Sequence, residues 1–225
     1  MVGLLYDWNY YFNLFICIVW LCVMDDLDKR KREHFLYRTR AHLYLVRKWS
    51  DIIANTFSLD TRINKVLLNK ERDEHDQTKF SEPEYAAYVD ITWKYYCKRH
   101  NIPFESSPEL DEAMHVATYH HVKHNKHHPE YWDDATTIDN AISRDNRDGV
   151  APRQIDATKM PLTYIAAKCA DWCAMAEELG TNSPQDWAKK NVNVRWKFTD
   201  EQVQLIYDIL NAVWQEKYLD NKPNK

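Results

Sequence analysis

Apolar side chains recur along this chain with a helical period, and strand-like alternation is nearly absent. Between about Lys29 and Asn55, Leu36, Leu43, Val46, Trp49 and Ile53 are spaced by three, four and seven, which predicts one long amphipathic helix. A second helix is expected from about Thr61 to Lys70, with Asp60 as its cap. A third begins near Ser81 or Pro83 and carries Tyr85, Tyr88, Ile91, Trp93 and Tyr96. A loop with Pro103 and Pro108 leads to a fourth, about Asp111–Asn125. Pro161 reads as a first-turn proline for a helix that stops before Gly180, a C-cap residue. Ser183-Pro184 starts a short helical turn, and Thr199 or Asp200 caps a last long helix with Val203, Ile206, Leu210 and Val213 on one face. Only Val192–Phe198 has any strand character. The polar stretch Asp133–Met160, with Gly149 and Pro152, is the least organised part and a candidate loop or lid.

These elements add up to an all-α helical bundle. Three glycines in 225 residues are too few for a Gly-rich phosphate loop, and nine tryptophans with fourteen tyrosines supply large side chains for helix packing. The expected organisation is an apolar N-terminal extension over 1–23, a helical domain over 24–219 and a polar tail over 220–225. The run Leu14–Met24 is uniformly apolar but shorter than the roughly 18 residues of a spanning helix, and no Lys or Arg precedes it. It reads as a buried or peripheral helix, as a signal anchor, or as residues ahead of a working start at Met24. Membrane contact through 14–24 is not favoured, and a cytoplasmic or host-cell intracellular setting is expected. Five cysteines, an odd number with Cys169 and Cys173 one helical turn apart, favour reduced buried thiols. A formal net charge of −4 makes nucleic acid an unpromising partner, and the basic stretch Lys29–Arg40 reads as a solvated helix start. The composition leaves the oligomeric state open.

The histidines change the picture. Six of the ten lie between positions 115 and 128: His115, His120, His121, His124, His127 and His128. Packing does not call for such density, because a buried imidazole needs partners for both nitrogens. No HExxH is present. On one helical face His121, His124 and His128 project together; His120, His124 and His127 form the competing set. Pro129 follows at once, so the helix can end before or within His127-His128 and splay the two apart. His75-Asp76 offers two adjacent ligands, with Lys79 one turn on, where an ammonium would meet a phosphate. His42 shares a face with Val46, Trp49 and Ile53, and Asp171 sits in the apolar IAAKCADWCAM. A carboxylate buried there needs a partner or a cation.

His42, then His75-Asp76, then Asp171 resembles the H…HD…D pattern of the HD-domain superfamily of metal-dependent phosphohydrolases, and HDQTKF resembles its HD-x-x-K form. HHPEYWDD is similar to the histidine-pair segment of the branch acting on cyclic dinucleotides, but Pro129 precedes Glu130, Asp134 replaces a glycine and no GYP follows. That specificity is not carried over. A closer likeness, over about Lys31–Leu219, is to an uncharacterised family (domain of unknown function family 5662) of phages, bacteria and large viruses, through HDQTKFSEPEY, HHVKHNKHHPEYW and ADWCAMAEELGT. It implies that His120, His121, Asn125, His127 and His128 are retained and that His124 is replaceable, which tips the choice toward His121 and His128.

The resemblance therefore implies an HD-like helical bundle with one or two divalent ions (Mn, Fe, Co, Ni, Zn or Mg). One would rest on His42, His75, Asp76 and Asp171; a second would rest on His121 and His128, bridged by Asp76. His120, His124, Asn125, His127 and Glu130 would support them. The expected activity is hydrolysis of a small phosphomonoester, with nucleotides among the candidates. Asp76 would act at the reacting centre, Lys79 on the phosphate, and Arg144, Arg147 or Arg153 as clamps. Two alternatives stand beside it: a non-catalytic, metal-stabilised binding or assembly protein, and an iron-dependent oxygenase of the same fold.

Overall fold

A computed structural model describes the backbone of residues 8–142, 153–180 and 182–214, and the side chains of 26–141, 153–180 and 182–214. Helix α1 spans Trp8–Thr56, so the expected first helix is continuous with the apolar run before it. Among the described residues no helix is long and apolar enough to cross a membrane. Helix α2, Lys65–Glu74, starts later than expected because Asn64, not Asp60, accepts the cap hydrogen bond from Leu67 N–H. The Asp60 carboxylate is instead held by Arg62, with its Oδ2 2.7 Å from a guanidinium nitrogen. A 3-10 turn, Gln77–Phe80, leads to α3, Tyr85–Arg99. Helix α4 covers Pro108–His124, capped by Ser107 with Pro108 in its first turn.

After a second 3-10 turn, Pro129–Trp132, come α5 (Ile138–Ile142) and the strand β1 (Ile155–Asp156). Helix α6 spans Leu162–Leu179, and Gly180 ends it at φ 61°, a conformation glycine adopts without steric cost. Helix α7 (Pro184–Asn191), β2 (Trp196–Lys197) and α8 (Asp200–Val213) complete the order; Ser183 and Thr199 close reciprocal capping boxes. Among the described residues, strand structure is limited to the two-residue parallel pair β1–β2 with its flanking bridge, Ile155 opposite Trp196. The protein is an essentially all-α bundle.

Helix α6 is buried nearly all round, and its alanines and cysteines let α1, α2 and α8 approach closely. Val46, Trp49 and Ile53 of α1, Leu68 of α2, and Leu205, Ile206, Ile209 and Leu210 of α8 share its core. Cys97, Cys169 and Cys173 are buried free thiols, and burial pushes the Cys169 thiol up, out of reach of the thiolate form at neutral pH. A smaller cluster joins Phe35 to Ala87, Tyr88, Val89 and Ala117, between α1, α3 and α4. The buried stripe of α1 reads Phe35, Thr39, His42, Val46, Trp49, Ile53. Its polar members, Thr39 and His42, fall where one apolar cluster gives way to the other. A polar site occupies that seam.

Candidate metal centre

Five segments bring ligand-type side chains to the seam. Helix α1 supplies His42 from its buried stripe, and α6 supplies Asp171 from mid-helix. Helix α2 ends at Glu74 with His75 as its C-cap, and Asp76 then turns into the left-handed region (φ 56°, ψ 16°) before the 3-10 turn. Aspartate tolerates that conformation better than most non-glycine residues, at a cost on the order of 1 kcal/mol. The turn lets His75 and Asp76 face the same point. The last turn of α4 supplies His121. Asn125, at the C-cap, donates from Nδ2 to Thr78 Oγ1 and to the His121 carbonyl, each at 2.8 Å, tying the end of α4 to the 3-10 turn. His127 and His128 follow directly.

Two groups result: Asp76, His121, His127 and His128, and His42, His75 and Asp171. Within each, the ligand atoms lie no more than 4.8 Å apart. Asp76 sits between them. Its Oδ1 is 3.2 Å from His121 Nε2, 3.4 Å from His127 Nε2 and 3.7 Å from His75 Nε2. Its Oδ2 is 4.0 Å from His42 Nε2, which is itself 3.3 Å from Asp171 Oδ1. His128 Nε2 and His121 Nε2 are 3.1 Å apart. All seven residues are at least nine-tenths buried.

Carboxylates behind the rings set which nitrogen faces inward. Glu84 Oε2 lies 2.9 Å from His121 Nδ1, and Glu71 Oε1 lies 3.2 Å from His127 Nδ1. A proton held on Nδ1 by such a partner leaves the Nε2 lone pair pointing into the cluster. Glu178 Oε2 is 3.3 Å from His42 Nδ1, close enough for charge attraction but misaligned for a hydrogen bond. Asp76 Oδ1 and His75 Nε2 are buried without a hydrogen-bond partner. Each such orphan costs about 1–3 kcal/mol. Converging imidazole nitrogens and carboxylate oxygens, two of them buried without a hydrogen-bond partner, are what a bound cation satisfies, so these residues fit a divalent metal.

The ionisation of the metal-free site points the same way. Burial would push the Asp76 carboxyl up, but Lys79, His75 and His121 hold it well below the usual range. Burial would likewise raise Asp171, which Lys168, His42 and His75 pull well down. Burial alone would lower His42; Asp171 and Glu178 outweigh it and raise the imidazole to about 9. His127 is also raised, burial being outweighed by Asp76 and Glu71. His75, stacked on His127 at 3.9 Å, is driven well down by burial and by that second ring. With no metal, protons on His42 and His127 carry the positive charge that the carboxylates require.

The expected ligand residues His42, His75, Asp76, His121, His128 and Asp171 are brought together here. His127, expected only as a supporting residue, stands among the potential ligands. His124 does not join: it is exposed, stacks on His120 at 3.8 Å and donates from Nδ1 to the His120 carbonyl. His120 lies 2.7 Å from Glu84 Oε1 and so braces the carboxylate that orients His121. Glu130 is fully buried but turned away, accepting a hydrogen bond from the Trp196 indole at 2.9 Å. Arg153 pairs with Asp133 instead of reaching the site, because Asp133 also caps the Asp156 and Ala135 amides nearby. Arg144 and Arg147 lie outside the described residues, as does the middle of the candidate lid, 143–152. Glu71, Glu84, Glu178 and Lys168 went unsuspected; Glu84 and Glu71 carry no local sign, since each meets its histidine only through the fold.

The site opens into a cavity of about 650 Å³, walled by α1, α3, α4 and α6. Lys79 stands at its edge, Nζ 2.6 Å from Asp76 Oδ2 and 5.0 Å from the centre of the Tyr88 ring. No curated protein and no solved structure matches the chain. The model of a family of unknown function, DUF5662, matches residues 31–212, which include every site residue named above, and the chain belongs to that family.

Proposed function

We propose that this protein is a metal-dependent phosphohydrolase of HD-like fold that acts on a phosphomonoester, with nucleotides among its candidate substrates. The observation that carries the reading is the placement of Asp76: its Oδ1 faces His121 and His127 of one ligand group and His75 of the other, Lys79 holds its Oδ2, and an open cavity lies beside it. His42, His75, Asp76 and Asp171 would hold one ion, and Asp76, His121, His127 and His128 a second. This imidazole-rich set suits iron, zinc and nickel better than magnesium. Divalent cations so held act as Lewis acids on phosphoryl oxygens and lower the pKa of water.

The chain's own groups do the rest. Glu84 and Glu71 fix the imidazoles of His121 and His127, and Glu178 attracts that of His42, so the donor atoms are positioned before substrate arrives. The Lys79 ammonium, part-exposed at the cavity edge, meets the negative charge of the phosphate and orients it toward Asp76. The walls of Tyr88, Thr118 and Met175 shield that encounter from bulk water.

The test is to strip the purified full chain of metal and reload it separately with Mn, Fe, Co, Ni, Zn and Mg. Phosphate release from nucleoside monophosphates and an aryl phosphate is then measured, with dioxygen uptake followed in parallel for the iron form. Release with at least one metal supports the proposal. Oxygen uptake without phosphate release favours the oxygenase alternative, and silence in every assay leaves a metal-stabilised binding protein.

A further inference from the structure

The cavity is far longer than a phosphate requires, and its two ends differ in charge. Tyr88, Ile91, Thr92, Tyr95 and Arg99 of α3 line it at i, i+3, i+4, i+7 and i+11, a single helical face. Tyr88 marks the inner end, its ring 5.3 Å from that of His121. Arg99 marks the outer end, roughly 16 Å further along the helix at 1.5 Å per residue. Long side chains on a helix all lean toward its N-terminus, Tyr88 as well as Arg99, so the two tips keep an offset on the order of 15 Å. Lys98 and Arg38 line the same end.

The acidic residues lining the cavity, Asp76 and Asp171, both belong to the inner end. At the outer end the Arg38 Nε donates to Glu178 at 2.8 Å, while Lys98 and Arg99 have no carboxylate partner among the described residues. His34 reports the same imbalance: burial, with Arg38 and Arg99 beside it, holds its imidazole below the ordinary range. Lysine and arginine in a last helical turn also suit the helix dipole. That accounts for positive charge there, but not for a cavity that runs the length of α3 to reach it. Between the ends the wall is largely apolar and aromatic: Ile91, Tyr95, Met175 and Leu179.

We propose that the substrate is an elongated organic phosphomonoester with an apolar or aromatic middle and a second anionic group, bound by Arg99 and Lys98 roughly 15 Å from the scissile phosphate. This rests on the phosphohydrolase reading and deepens it. Lys79 takes the phosphate that reacts, the α3 face and Met175 pack the body of the leaving group, and the outer cations select molecules long enough to reach them.

A ladder of linear alkane bisphosphates of increasing length, each paired with the monophosphate of equal length, tests this on the metal-loaded full chain. The expected result is a KM about 10-fold lower for the bisphosphate, the effect of one charge-assisted contact, appearing only when the phosphates are about 15 Å apart. The doubly substituted Lys98→Gln/Arg99→Gln protein brings the ratio within each pair close to one, and Arg99→Lys restores part of the preference. Release from the monophosphates with no length-dependent preference overturns this inference alone. So does a preference that persists in the double variant. No release from either series overturns the phosphohydrolase reading and this inference with it.

Discussion

Two lysine–aspartate pairs flank the centre, built alike and placed differently. Lys79 reaches back three residues to Asp76 Oδ2 at 2.6 Å, and Lys168 reaches forward three residues to Asp171 Oδ2 at 2.8 Å. In each pair the ammonium occupies one carboxylate oxygen and leaves Oδ1 to the histidines. The surroundings then separate them. Lys79 lines the cavity with 18% of its side chain exposed; Lys168 is 4% exposed, with Nζ 5.8 and 5.7 Å from the Trp172 and Trp196 ring centres. One cation can meet whatever enters the cavity. The other, enclosed by aromatic faces, can only hold Asp171 in place. On the proposed phosphohydrolase reading, the same local chemistry gives a substrate contact on a turn; inside the helix it gives a structural contact.

That contrast can be broken at three points. The largest effect is expected at Asp76, which both ligand groups share. Asp76→Ala should lower metal content and take phosphate release to background, because it removes the residue that lies between the two groups. Release that survives unchanged would show that the reaction occurs elsewhere. Lys168→Met should come next. Removing one member of a buried pair leaves Asp171 without its lysine, so the metal-free protein should lose about 3–5 kcal/mol in chemical denaturation. Metal-loaded protein should lose less, since a bound cation takes over the charge. The smallest effect is expected for Lys79→Ala: metal content kept, and kcat/KM reduced ~10–100-fold for loss of a contact worth ~1.4–3 kcal/mol. Equal behaviour of the two lysine variants in stability and turnover would erase the distinction between the pairs.

Much of this architecture is legible in the chain because helical period and capping chemistry act locally. Ser183, Thr199 and Gly180 mark helix ends with groups that bond to their own neighbours. His42 and Asp171 stand out since polar groups on apolar faces need a reason to be there. The histidine-rich segment is read less well. The helix end expected near Asn125 holds, but the sets of rings drawn on a helix that continues to His128 do not, because the stop at His124 decides which rings turn inward. Once the chain leaves helical geometry at Asn125, His127 joins His121 and His128, while His124 remains on the outer face. Glu71, Glu84 and Glu178 are ordinary helix or loop acids in sequence, and only the tertiary approach of α1, α2, α4 and α6 gives them histidines to orient. Arg153 shows the converse: a cation in a polar loop attracts a functional reading, yet its nearest strong acid, Asp133, already claims it.

The central claim is that residues far apart in sequence form one metal centre around Asp76. Elemental analysis of the reloaded full chain, beside correctly folded His42→Ala and Asp171→Ala variants, tests it most directly, because neither residue belongs to the histidine-rich segment. The account predicts a lower metal-to-protein ratio in both variants, with binding weakened by about 10-fold or more where one ligand is lost. Full occupancy in both would contradict it, leaving at most a local site on His121, His127 and His128.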